Sequence, residues 1–201
     1  FALPGGDVVK AGAKPIYTFT RERAETLART RKALSGTALA NALRRLLSAG
    51  PVTTPHYRVL RPESFTEKGI CRFAIETERG VRAIVRRIPR VGEHAYTLDV
   101  GRRAIVHVPH LSSEEELSSD PFTKKLALSC NAWFVDVRGV GESAPDEHGG
   151  FFQPYGMDYM FHGQSLMLGE SYLGRRVHDL LTVIRLLENL GAKEISVSGK
   201  G

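Results

Sequence analysis

Apolar and polar positions alternate along this chain in two rhythms, and the rhythm changes near residue 55. Upstream, in "SGTALANALRRLLSAG", Leu39, Ala42, Leu43, Leu46 and Leu47 recur at the spacing of one helical face. Ser35 or Thr37 can cap that helix and Gly50-Pro51 can stop it. The stretch before it, "TRERAETLARTRKAL", has helical composition with charge on most faces, which predicts a solvated connector. Earlier still, "DVVKAGAKPIYTF" predicts a short hairpin turning at Gly12. Residues 1–55 therefore read as a helical connector or preface.

From residue 56 the period becomes two. The segments "HYRVL", "CRFAIETE" and "VRAIVRRI" read as strands, and the last two, joined through Gly80, alternate as a half-buried antiparallel hairpin does. "AIVHV" is a more continuous apolar run, as in a strand covered on both faces. Then strand and helix alternate. "SSDPFTKKLALSC" predicts a helix opened by Ser119 or Asp120 with Pro121 in its first turn, followed by the strand "AWFVDV". A long glycine- and aromatic-rich loop precedes a helix with Leu173, Val177, Leu180, Ile184 and Leu187 at spacings of four and three, and "EISVS" closes the series. The fold class expected is α/β, an antiparallel hairpin leading into a parallel sheet with flanking helices. Residues 103–108, 132–137 and 194–198 are the expected parallel neighbours, with the helix near 171–190 packed across them.

Composition narrows the class without changing the picture. With 201 residues, 42% hydrophobic and 25% charged, the chain is of ordinary globular make-up. No run approaches a membrane span, and the opening "FALPGGDVVKAG" lacks the basic start and apolar run of a signal peptide. The first residue is not methionine, so a signal could have been lost; the compartment is unassigned, with a secreted or periplasmic one as the alternative. The net charge of +6 is scattered in short groups such as "RER" and "VRRIPR", without a basic tract or stacking aromatics, which argues against a nucleic-acid partner. Cys71 and Cys130 lie far apart with no CxxC spacing, so they read as two buried thiols not bonded to each other.

Neither a cofactor nor a metal is expected from the histidines. His107 and His110 form H-x-x-H where a strand becomes a loop, a spacing that sends side chains to opposite faces. Asp146, Glu147 and His148 in "PDEHGG" read as a solvated turn, and His178 as a boundary residue of the long helix. Ser171 in "GESYLG" precedes a helix with no strand before it and reads as first-turn hydrogen bonding; Ser143 in "GVGES" lacks a closing glycine.

The phrases "IVHVPHL" and "FVDVRGVGES" ending successive strands, then a long loop, a long helix and "ISVSGKG", resemble the α/β-hydrolase superfamily. "DVRGVGES" looks most like its acetylxylan esterase and prolyl-oligopeptidase-like branch. The resemblance covers residues 56–201, about the first half of such a domain. It implies a sharp turn, G-x-S-x-G, after the last strand, with Gly199 at the first glycine, Lys200 at the variable position and Gly201 where the nucleophilic serine belongs. Glycine there removes both the attacking hydroxyl and the strain of a non-glycine elbow. The alternative alignment makes Ser198 the nucleophile, puts Ser196 in place of the first glycine and leaves Ser198 inside the sheet.

The resemblance also implies that the backbone at His110 and Leu111 supplies an oxyanion donor, and that Asp136 and Arg138 shape the rim of the site. The triad acid and histidine would follow residue 201. A sheet ending at the last strand would expose an apolar edge, so the remainder of the hydrolase domain, continuous or as a cleaved fragment, is the expected partner, with acetylated polysaccharide as a further one. Three functions stand open: hydrolysis of acyl esters on carbohydrate, a catalytically silent hydrolase-fold domain for binding or assembly, and, more weakly for want of propeller repeats, a peptidase.

Overall fold

The computed structural model describes residues 9–10, 12–48, 50–63, 69–90, 93, 96, 98–145 and 157–200. The chain divides into two compact units after Asn41, each taken by itself below. In the first, α1 (Ile16–Thr30) opens behind Pro15 and buries no residue. Its charges pair along its own surface, as Glu25 with Arg29, and Thr26 and Thr30 bond the carbonyls of Glu22 and Thr26 one turn back. The hairpin expected here is not formed by its described part. Pro15 holds φ at −62° and Ile16–Phe19 continue as helix, leaving only a turn in which the Gly12 N–H donates to Val9 O.

The division falls inside α2 (Gly36–Leu46), which buries no residue either. Its end comes at Leu46 rather than at Gly50-Pro51, because Ser48 takes a left-handed conformation with φ of 49°.

The second unit is built on six strands: β1 (Tyr57–Glu63), β2 (Ile70–Glu78), β3 (Val81–Arg87), β4 (Arg103–Val108), β5 (Ala132–Asp136) and β6 (Glu194–Gly199). Their order is β1-β2-β3-β5-β4-β6. The meander β1 to β3 is antiparallel, β3 also pairs antiparallel with β5, and β4 pairs parallel with β5 on one side and β6 on the other. The three expected parallel strands are therefore neighbours, with β4 at their centre.

Chain direction explains where the helices lie. The step from β4 to β5 runs toward β3, whereas the step from β5 to β6 runs back past β4. Right-handed crossovers in opposite directions place their helices on opposite faces. One face carries α3 (Ser113–Ser119) and α4 (Pro121–Ser129), where Leu117 and Ala127 pack with Phe134, Ile70 and Ile88. The other carries α6 (Tyr172–Asn189), where Val183, Leu186 and Leu187 pack with Val106, Trp133 and Val135. Sequence periodicity shows neither α3 nor α5 (Met157–Met167). α3 is a seven-residue, mostly acidic and polar turn capped by Ser112 on Glu115 N–H, and α5 lies within the stretch read as a loop.

The stripe read on α6 is rotated. Its buried residues are Gly174, His178, Asp179, Thr182, Val183, Leu186 and Leu187, while Leu173 is exposed. The register was hidden because several core-facing positions are polar and have specific partners. His178 is accordingly buried, with Nε2 3.3 Å from Thr77 O, instead of sitting at a boundary. Cys71 is buried and Cys130 exposed, both as free thiols. Cys130 falls at the end of α4, where it no longer faces the sheet.

Two outcomes are expected of this packing. Leu187→Ala should cost about 2–5 kcal/mol in denaturant unfolding, against about 0.5 kcal/mol or less for Leu173→Ala; equal costs would mean that α6 is docked by another face. An aromatic disulfide reagent should titrate Cys130 promptly in the folded protein and Cys71 only after unfolding, since burial both shields that thiol and pushes its pKa up.

Candidate functional site

The carboxyl ends of β4, β5 and β6 converge on one side of the sheet, and a buried ion pair holds the turns that leave them. Arg86 on β3 and Asp136 at the end of β5 are 1% and 0% exposed, with Nη1 2.7 Å from Oδ2. The same Nη1 donates to Ser113 Oγ at 2.8 Å, and Nη2 donates to Glu142 Oε2 at 2.6 Å. Asp136 in turn accepts the Ser113 N–H at 2.8 Å and the Glu142 N–H at 3.3 Å. The loop after β4 and the turn after β5 thus share one carboxylate. Burial pushes the Asp136 pKa up, opposed by the Ser113 N–H and the Arg86 charge. Asp136 is therefore an interior anchor and not a residue of the rim.

"RGVGES" is spelled by this geometry. Gly141 sits at φ +51°, and a Cβ there would stand 2.5 Å from Asp136 Oδ2. Its N–H donates to Leu111 O at 3.0 Å, tying the two turns directly. Ser143 donates to Asp136 O at 2.7 Å and accepts the Ile84 N–H at 3.1 Å, which makes it structural. Arg138 is clamped to Asp179 of α6 through its own N–H, Nε and Nη2, and Thr77 Oγ1 closes the set on Asp179 Oδ1 at 2.6 Å. Ser171 caps α6 by accepting the Gly174 N–H at 3.0 Å.

Between these turns and α6 lies a cavity of about 280 Å³. Pro109 and His110, Val137 and Val140, Val177 and Leu180 form its walls, with Arg176 and Lys200 among the lining residues. Open α/β sheets bind ligands in such a crevice, at the point where the strand order reverses. The His110 N–H, expected to face the crevice, donates to Glu116 Oε1 at 2.7 Å. Leu111 is exposed, and its N–H donates to none of the described residues. Lys200 N–H donates to Val108 O at 3.2 Å, which holds the end of β6 beside β4, and Lys200 Nζ is 3.2 Å from Asp120 Oδ1. Gly199 is the last residue of β6; Gly201, Asp146, Glu147 and His148 lie outside the described residues.

The two histidines of H-x-x-H part company. His110 is exposed, whereas His107 is 1% exposed beneath α3, with Nε2 3.2 Å from Glu116 Oε2 and Nδ1 3.2 Å from Ser198 Oγ. Glu116, Arg86 and Asp179 escaped the reading of the sequence because their partners lie 6 to 102 residues away. Charges set within apolar strand and helix patterns, as in "VRAIVRRI" and "VHDLL", are the local sign they leave.

No family profile and no curated protein matches the sequence. Among solved structures, a Bacteroides fragilis protein described as an acetyl xylan esterase superposes with a TM-score of 0.52 at 17% identity, over 80% of this chain and 45% of that one. An acetyl xylan esterase from Paenibacillus sp. R4 gives 0.46 at 17% identity, over 92% and 56%. The fold is α/β-hydrolase-like. This chain spans about half the length of either structure, and at 17% identity the likeness to the first is one of fold alone. Among the described residues no helix is long and apolar enough to cross a membrane.

Asp120, the α4 cap that pairs with Lys200, supplies a pH test. Hydrogen bonds from the Thr123 hydroxyl and N–H, with Lys200 alongside, lower the Asp120 pKa from 3.8 to about 2. A depressed folded pKa means that the stabilisation is full above about pH 4 and is lost as pH falls through about 2. Asp120→Asn, which keeps a capping oxygen, should flatten the fall of the melting temperature over that window; an unchanged slope would show that Asp120 is not a source of it.

Proposed function

We propose that this chain forms the sheet and crevice of a carbohydrate acyl-ester hydrolase-type domain of the acetylxylan esterase kind. The observation that carries the proposal is the convergence at one crevice of the loop after β4, the Asp136-anchored turn after β5 and the end of β6. In a hydrolase of this fold, the loop after β4 faces the turn that follows the nucleophile strand, and amides from both gather the oxyanion. On this reading the Leu111 N–H is the donor from the loop, since the His110 N–H is held by Glu116. The largely apolar cavity beside it takes the acyl group.

A second reading is favoured by one feature of the sequence. Gly201, at the position the resemblance gives to the nucleophile, offers no hydroxyl, which supports a silent domain that binds acetylated polysaccharide without cleaving it. Oxyanion donors without a triad leave about 10³–10⁴-fold catalysis over water in a serine protease, so a slow background is compatible with either reading.

Acetate release from acetylated xylan separates them. Release well above that background, abolished by heat denaturation, is the result expected of the hydrolase. Sedimentation of the protein with acetylated but not deacetylated xylan, without release, is the result expected of the silent domain. Neither release nor binding would contradict the carbohydrate assignment altogether.

A further inference from the structure

A second cavity, of about 570 Å³, lies at the other end of the sheet from the crevice, where β3 stops and β4 and β5 begin. Its size falls among small-molecule sites, which run from about 300 to about 1,000 Å³. Ile88, Pro89 and Arg90 line it from the end of β3, and Arg102 and Arg103 from the start of β4. The last turn of α4 supplies the opposite wall, with Leu128 and the thiol-bearing Cys130. Among the described lining residues three are arginines and none is an acid.

The turn that presents Arg102 and Arg103 is fixed by its neighbours. Asn131 Nδ2 donates to Val100 O at 2.5 Å and to Arg103 O at 2.7 Å, and Arg87 Nη1 donates to Asp99 O at 2.7 Å. Gly101 turns there at φ +64°, and a Cβ on it would stand 3.3 Å from Arg90 Nη1 and Nη2, so glycine leaves room for that guanidinium beside the turn. Carboxylates meet the three arginines without using up their donors. Arg90 Nε donates to Glu93 Oε1 at 2.7 Å, and its Nη2 stands 3.7 Å from Asp99 Oδ2. Glu93 is shared with the buried Arg87. Arg103 Nε donates to Glu194 Oε2 at 2.7 Å, whereas Arg102 Nε stands 3.7 Å from Oε1 of the same residue. The Nη groups of Arg102 and Arg103 have no hydrogen-bond partner among the described residues.

We propose that this cavity binds a phosphate-bearing small molecule of nucleotide size. Guanidinium groups with open edges match phosphate oxygens two at a time, and three of them suit the charge of a diphosphate better than that of a single carboxylate. The body of the ligand lies against Ile88, Pro89 and Leu128. The end of α4 brings the partial negative charge of a helix C-terminus to the far wall, which suits hydroxyl or amino donors on that body. β4 separates this cavity from the crevice at its carboxyl end, so the proposal is independent of the ester-hydrolase reading.

Cys130 reports occupancy, because its thiol is exposed and lines the cavity, while the buried Cys71 serves as the internal control. The full chain is alkylated with iodoacetamide, a neutral reagent, in the presence of adenosine diphosphate or of pyrophosphate, and the rate at Cys130 is read by mass spectrometry. Adenosine diphosphate at ten times its Kd should slow Cys130 labelling about tenfold by mass action and raise the melting temperature. The double variant Arg102→Gln/Arg103→Gln should lose that protection with its unliganded melting temperature unchanged, since both side chains are largely exposed and such surface pairs contribute little. Arg185→Gln, an exposed charge on α6, should keep the protection. No protection by either phosphate compound at millimolar concentration, protection that survives in the double variant, or an equal loss in Arg185→Gln would overturn the proposal. Equal protection by citrate at matched ionic strength would overturn the assignment to phosphate.

Discussion

A single buried ion pair, Arg86 with Asp136, is the constraint on which the functional end of this sheet depends. Two charges taken out of water cost several kcal/mol each, and attraction offsets that only where the remaining donors and acceptors are also met. Here they are: Ser113, Glu142 and the backbone N–H groups of Ser113 and Glu142 occupy the pair's remaining directions. The requirement for full satisfaction is what fixes the loop after β4 and the turn after β5. Either segment could leave only by stranding a buried charge.

The rest of the crevice follows from that anchor. With the turn after β5 set, Arg138 reaches Asp179 and carries α6 against β2 and β5. With the loop after β4 set, Glu116 of α3 comes under His107 and meets the His110 N–H. Polar sets and apolar packing occur on both faces of the sheet and meet at the carboxyl ends of β4 and β5. The apolar contacts stabilise the sheet, whereas the polar ones decide the shape of its upper edge.

What the sequence disclosed and what it hid divide along the same line. Periodicity shows β2 to β5, α4 and α6, because they bury residues such as Val106, Trp133 and Leu187 whose spacing is local, and β1 and β6 by their alternation alone. α3 has almost no apolar residue to betray it, and its place is set by Ser113 and Glu116 bonding to other parts of the chain. The resemblance carried by "DVRGVGES" implies a rim position for Asp136, whereas its burial depends on Arg86, fifty residues earlier. Ser198 was legible as a residue within the last strand. Its pairing with His107 was not, since it requires the parallel register of β4 and β6.

Hydrogen exchange on Arg86→Met, read by mass spectrometry, tests most directly whether the buried pair holds both turns. Faster exchange is expected together in peptides covering 109–116 and 138–144, with β1 and β2 keeping the protection of the parent protein. Unchanged exchange in those two segments, or an equal rise across the whole sheet, would contradict it.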